Sequence, residues 1–140
     1  MKNLLLGFFL LATSAASAIT NDELLDAKEA FPASARAVGP NMVEITFKIA
    51  DGYYLYRNKL HFAAIADTAR VGSPALPKGM IKKDEFFGKV EIYRGTLKIR
   101  LPVEQAGGKI GLKVQSQGCA DIGVCYPAFE QTLAVELPGA

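Results

Sequence analysis

The sequence predicts an all-β fold, an antiparallel sandwich. Apolar and polar residues alternate with period two in seven or more short segments, turns rich in Gly and Pro separate them, and a single weak helical stretch interrupts the pattern. The βαβ rhythm that a parallel sheet requires is missing.

Taken in order, the first eighteen residues carry one charge at Lys2, an apolar run from Leu4 to Ala12, and small residues ending in Ala16-Ser17-Ala18. This is the pattern of a secretory signal peptide cut after Ala18, and the run is shorter than the roughly 20 apolar residues of a membrane anchor. One domain, 19–140, then remains, long enough for a core. The full chain has 16 Lys and Arg against 14 Asp and Glu. Loss of Lys2 leaves these nearly balanced, so nothing argues for nucleic acid or an anionic membrane surface as a partner.

Asn21 or Asp22 can cap a short helix through Glu23, Leu24, Leu25, Ala27 and Lys28 that stops before Pro32. Val43, Ile45, Phe47 and Ile49 then alternate with Glu44, Thr46 and Lys48 in a half-buried strand over 42–50, which Asp51-Gly52 turns. Shorter strands are expected at 53–57, 59–64 and 90–93. Full alternation returns at Leu97, Ile99, Leu101 and Val103, at Ile110, Leu112 and Val114, and at Leu133, Val135 and Leu137. Gly72-Ser73-Pro74, Pro77-Lys78-Gly79 and Ala106-Gly107-Gly108 supply turns. Strands at this spacing predict an immunoglobulin-like β-sandwich. The cysteines do not support its antibody version, because that fold's bridge joins two sheets against a Trp, whereas this chain has no Trp and its two cysteines are local.

Those cysteines, Cys119 and Cys125, are separated by five residues. Export makes a disulfide their default state. A strand ending near Gly118 and another starting near Tyr126 would set them opposite each other, within the Cα separation of about 4.4–6.8 Å that a disulfide takes. As a staple the bond is modest, about 2 kcal/mol against nearly 5 for a loop of about 100 residues. On the residues alone, staple and redox tool both stay open. Structural zinc takes four ligands, and the chain offers two Cys and one His. That histidine, His61, sits in Leu60-His61-Phe62, where a strand residue is a simpler reading than a thiolate activator. A thioredoxin-type C-x-x-C is absent. No cofactor is expected.

Strand alternation puts Tyr54 and Tyr56 on one face and Tyr53 and Leu55 on the other. Asp84-Glu85-Phe86-Phe87-Gly88 reads as a loop in which two acids precede two aromatics. By itself this is a turn with an apolar plug.

Three segments in order, DGYYLYR at 51–57, DEFFGKVEIYR at 84–94 and GCADIGVCYP at 118–127, resemble the N-terminal periplasmic domains of the DsbD family of bacterial thiol:disulfide interchange proteins. The likeness runs from about Phe31 onward. It implies an immunoglobulin-like sandwich with an inserted catalytic hairpin and cap subdomain, acting as a protein-disulfide reductase. Electrons would arrive from a thioredoxin-like C-terminal domain of the same full-length protein. They would pass to periplasmic acceptors, the disulfide isomerases DsbC and DsbG and the cytochrome c maturation thioredoxin. Cys119 and Cys125 become the redox pair by this resemblance, with Cys125 forming the mixed disulfide. Asp84, Glu85, Phe86, Phe87 and Gly88 match the family's cap loop, so Phe86 is expected to cover the sulfurs. Tyr54 and Tyr56 match tyrosines that line the site. Phe87 departs from the pattern, since the family often has Tyr there.

Family members continue into membrane helices and a thioredoxin domain. The chain is therefore expected to be an excised, monomeric periplasmic domain of an inner-membrane protein. Closing Phe86 over the pair would be worth about 2 kcal/mol if most of the ring were buried. Asp84 and Glu85 near the thiols would raise their pKa, and Tyr54 and Tyr56 could donate hydrogen bonds to a sulfur. The rival reading is a secreted immunoglobulin-like binding module whose disulfide only holds the fold.

Overall fold

Residues 23–105 and 107–139 are described by the computed structural model, so the signal-peptide segment and the Asn21 and Asp22 caps lie outside the described residues. Where side chains alternate, strands form. The segments Met42–Lys48 (β2), Thr96–Glu104 (β8), Gly108–Ser116 (β9) and Phe129–Leu137 (β12) follow the predicted alternation. In β8 the buried residues are Leu97, Ile99, Leu101 and Val103, with charged side chains between them facing water.

β2 and β8 pair antiparallel between the flanking strands Ala33–Gly39 (β1) and Arg70–Val71 (β5), giving the order β1-β2-β8-β5. A second sheet has the order β12-β9-β4, with His61–Ala64 as β4. Val43, Ile45 and Phe47 from β2, the β8 residues, Ile110, Leu112 and Val114 from β9, and Val135 and Leu137 from β12 form one apolar core. These sheets are the immunoglobulin-like sandwich. His61 stands exposed on β4, opposite Gln115, as an ordinary strand residue.

A third sheet, order β11-β10-β3-β7-β6, carries the inserted subdomain. Its strands are Tyr53–Tyr56 (β3), Met80–Asp84 (β6), Gly88–Tyr93 (β7), Gly118–Ala120 (β10) and Val124–Cys125 (β11). β3 is buried on both faces: Tyr53 and Leu55 enter the main core, while Tyr54 and Tyr56 join Ile92 and Cys119 in a second cluster. The predicted split of the four residues is therefore realised. β10 lies tight against β3 because residue 118 has no side chain. A Cβ at Gly118 would overlap the Tyr54 carbonyl and come within 2.7 Å of the Phe31 ring.

Three expectations differ from what forms. The short helix begins at Ala27, not near Glu23, and runs to Ala30. Its would-be first turn is taken up by tyrosines: the Leu25 N–H donates to Tyr53 Oη at 2.9 Å, and the Leu25 carbonyl accepts from the Tyr126 hydroxyl. Backbone groups committed to side chains cannot close helical turns. Residues 57–59, expected as the end of one strand and the start of the next, form a turn of 3-10 helix. β1 and β6 were unforeseen, because ASARAVG is half-buried and small while MIKKD lacks alternation. Pairing with β2 and β7 supplies what their own pattern does not.

Candidate redox site

β10 and β11 are the two arms of a short hairpin in which Cys119 pairs directly with Cys125 and Ala120 with Val124. Gly123, at φ +98°, makes the turn that residues with a Cβ avoid. Direct opposition brings the two Cα atoms to 3.9 Å, closer than the separation expected from sequence, and the sulfurs are joined in a disulfide. On its other side Cys119 pairs with Tyr54 of β3, which places the bond against the tyrosine face. Cys119 is 0% exposed, whereas Cys125 on the edge strand is only partly buried.

A chain of polar contacts runs away from the sulfurs. Tyr56 Oη lies 3.0 Å from Cys119 Sγ and 3.7 Å from Cys125 Sγ, and it donates its proton to Asp84 Oδ2 at 2.7 Å. Tyr54 donates to the same oxygen. The other carboxylate oxygen accepts the backbone N–H groups of Phe86, at 2.7 Å, and Phe87, at 2.9 Å. Asp84, at 4% exposure, is thus a hub: one oxygen holds the tyrosines and the other shapes the cap turn.

Burial alone would raise the Asp84 pKa, but the hydroxyls of Tyr54 and Tyr56 and the N–H groups of Phe87 and Phe86 outweigh it and hold the carboxyl at about 2. Burial, followed by the bond to Asp84, pushes Tyr54 up to about 12, and the same two causes push Tyr56 up. Asp84 is therefore an anion and both tyrosines are neutral donors across the working pH range. Asp84 faces the sulfurs through Tyr56: since that hydroxyl has one proton and gives it to Asp84, its lone pairs face Cys119.

The cap turn, expected as a loop over 84–88, joins β6 to β7, with Asp84 closing one strand and Gly88 opening the other. A Cβ on Gly123 would sit 3.5 Å from Glu85 Oε1, so the cap meets the tip of the cysteine hairpin. Phe86 and Phe87 are 51% and 48% exposed. It is Phe87 whose ring packs edge-on to Tyr56, with centroids 5.0 Å apart, and Lys59 Nζ lies 5.1 Å from the Phe87 ring centroid. The closure figure for Phe86 required most of its ring to be buried, and that condition is not met. Each ring keeps about half its surface in water, which limits cap closure to about 1 kcal/mol per ring.

Sequence reasoning passed over Arg94 and Asp121. Asp121 sits between the cysteines, and Arg94 grips its carboxylate with two hydrogen bonds of 2.9 and 3.0 Å. The signal was present only as one acid inside the cysteine loop and one base after β7, with nothing to show that they meet. Among the described residues, no group of three or more His, Cys, Asp or Glu is placed to hold a metal ion, and no helix is long and apolar enough to cross a membrane.

The geometry is that of a cross-strand disulfide in an immunoglobulin-like domain, and comparison with known proteins agrees with it. Residues 21–137 match the family described as thiol:disulfide interchange protein DsbD, N-terminal. A DsbD protein of Ralstonia nicotianae is 43% identical over 90% of this chain and 21% of its own length. One from Pseudomonas fluorescens is 39% identical over 100% of the chain and 24% of its length. The chain thus spans about a quarter or less of the curated relatives it matches. Among solved structures, the reduced DsbD N-terminal domain of Neisseria meningitidis has 34% identity and a TM-score of 0.74, covering 86% of this chain and 96% of that one. A structure of the complex between the DsbD and PilB N-terminal domains of the same organism matches with 36% identity and a TM-score of 0.65, over 80% and 87% of the two chains. With the fold, the paired cysteines and the family model in agreement, this chain belongs to the family of DsbD N-terminal domains.

Proposed function

We propose that Cys119 and Cys125 form a working redox pair that relays electrons by disulfide exchange between protein partners, with Cys125 as the sulfur that partners reach. The carrying observation is the unequal burial of the pair: Cys119 is sealed and Cys125 lies on an edge strand. Exchange proceeds through in-line attack of a thiolate on a sulfur, so access selects Cys125. When a partner thiolate attacks Cys125 Sγ, Cys119 leaves as a thiolate 3.0 Å from Tyr56 Oη, and rotation of that hydroxyl from Asp84 toward sulfur stabilises it. With the pair reduced and Tyr56 turned to Asp84, the Cys119 S–H donates to Tyr56 instead. That arrangement favours the neutral thiol and keeps the dithiol unreactive.

The family membership supports this over a purely structural bond, as does the relative captured with the PilB N-terminal domain. In the full-length protein the donor is the thioredoxin-like C-terminal domain. The acceptors are periplasmic thioredoxin-fold proteins, including the isomerases DsbC and DsbG and the cytochrome c maturation thioredoxin. The domain works in the periplasm, delivered by the signal peptide over residues 1–18.

Incubation of the domain with a thioredoxin-fold protein of known potential tests the reading. Expected is a stable ratio of oxidised to reduced forms, reached from either side. A pair that stays oxidised against every dithiol donor would leave only the structural disulfide of a binding module.

The cap restricts access to the pair in this reading. At about 1 kcal/mol per half-buried ring, removing one ring accelerates attack by at most about fivefold. Phe86→Ala and Phe87→Ala are each expected to speed oxidation of the reduced domain by a small-molecule disulfide, Phe87→Ala more because of its contact with Tyr56. Stopped-flow rates unchanged in both variants would remove the gate from the mechanism.

A further inference from the structure

Reduction cuts the covalent tie across the hairpin and returns conformational freedom to the loop between the two cysteines. Its base stays paired to β3 through Gly118, Cys119 and Ala120, but the loop beyond is held by only a small set of contacts. The Asp121 N–H donates to the Gly52 carbonyl at 2.8 Å, the Gly123 N–H to Ala120 at 3.0 Å, and the Tyr126 N–H to Gly118 at 2.9 Å. To these Arg94 adds a side-chain tie. Its guanidinium makes the forked bond to Asp121, donates to the Tyr53 carbonyl at 3.3 Å, and lies 5.3 Å from the Tyr54 ring centroid. One side chain thus links the cysteine loop to the backbone of β3 and to the tyrosine that anchors Asp84.

We propose that Arg94 is a positioning residue: its fork on Asp121 keeps the cysteine hairpin in register when the disulfide is open, and thereby sets the redox balance of the pair. The proposal deepens the redox reading above and rests on it for its functional meaning.

The two redox forms should feel this latch unequally. Arg94 and Asp121 are partly exposed, at 33% and 43%, a setting in which an ion pair adds little to a loop already fixed. In the disulfide form the crosslink already holds the loop. In the dithiol form the loop regains entropy, and a planar two-bond grip on its carboxylate restricts it again. A contact that stabilises the dithiol more than the disulfide makes the disulfide easier to reduce. Removing it makes the disulfide harder to reduce.

The reaction to follow is the domain disulfide plus two glutathione thiols giving the domain dithiol plus glutathione disulfide, two electrons and two protons passing to the domain. Arg94→Met is expected to lower the equilibrium constant for reduction about threefold, a potential about 14 mV more negative on a scale where tenfold is about 29.6 mV. Arg94→Lys keeps the charge but not the fork and should recover only part of the shift. Asp121→Asn should shift the constant in the same direction, and the double variant no further than Arg94→Met, because one latch cannot be lost twice.

Thermal unfolding of both redox forms supplies the second readout. The latch predicts a larger drop in Tm for reduced Arg94→Met than for the oxidised variant. Equal drops in the two forms with an unchanged equilibrium constant would overturn it and leave a merely structural ion pair. Should the parent domain fail to equilibrate with glutathione at all, the redox reading falls. Melting after reduction by excess dithiothreitol still judges the latch itself.

Discussion

Cys119→Ser is expected to accumulate a mixed disulfide through Cys125 with a thioredoxin-fold partner, and Cys125→Ser to accumulate none. The asymmetry follows from position. Cys125, partly buried on the edge strand, is the one of the two with surface left for a second protein to meet. Cys119 is enclosed by Tyr54, Tyr56 and Ile92. In the first variant Cys119 is not there to resolve the bond, and with a partner whose own second cysteine is replaced by serine nothing else is, so the adduct persists. In the second, the remaining thiol has no path to an external sulfur, and exchange falls to background. Non-reducing electrophoresis and intact mass separate the cases after mixing with such a single-cysteine partner activated as a mixed disulfide with thionitrobenzoate, which leaves as the free thiolate. An adduct formed only by Cys125→Ser would reverse the assignment, and the burial difference would then have no bearing on exchange.

Asp84→Ala is expected to have the largest effect on stability of any single change at the site. It strips partners from two tyrosine hydroxyls and two backbone N–H groups at once. Buried donors left unpaired cost about 1–3 kcal/mol each. The cap N–H groups can turn to water, but Tyr56, at 0% exposure, is left with only the weak sulfur acceptors of the disulfide. A loss of about 3 kcal/mol is therefore expected in urea unfolding of the oxidised domain. The pH dependence has a definite sign. Asp84 is held at about 2 in the fold against an ordinary value of 3.8, so its ionisation favours the native state above the ordinary value. That contribution fades as pH falls from about 4 through about 2. Asp84→Ala should lack it, and its stability should decline less steeply with acid over that interval. Parallel curves for parent and variant would mean the carboxylate is not held as the structure has it. With the acceptor gone, Tyr56 is free to give its proton to Cys119, so the reduced variant should form its thiolate at a lower pH, read from the ultraviolet absorbance of the thiolate.

Much of this was legible before folding was considered. Period-two alternation located β2, β8, β9 and β12, because each packs one apolar face on the core and wets the other. The same rule placed Tyr54 and Tyr56 together on the face that meets the cysteines. What escaped depends on partners far away in the chain. β6 is a strand because β7 pairs with it, and the helix starts late because Tyr53 and Tyr126 take the Leu25 backbone. Arg94 and Asp121, 27 residues apart, carry no local pattern that would connect them. The turn over 84–88 was expected from resemblance as a cap with Phe86 over the sulfurs, and nothing in the sequence marked Phe87 as the ring that packs on Tyr56.

β3 works as a party wall, with Tyr53 and Leu55 lodged in one compartment and Tyr54 and Tyr56 in the other. Sliding it by one position would exchange the occupants of both rooms, which neither could accommodate. A visiting protein that tugs on the sulfur hairpin therefore pulls against the packing of the whole sandwich.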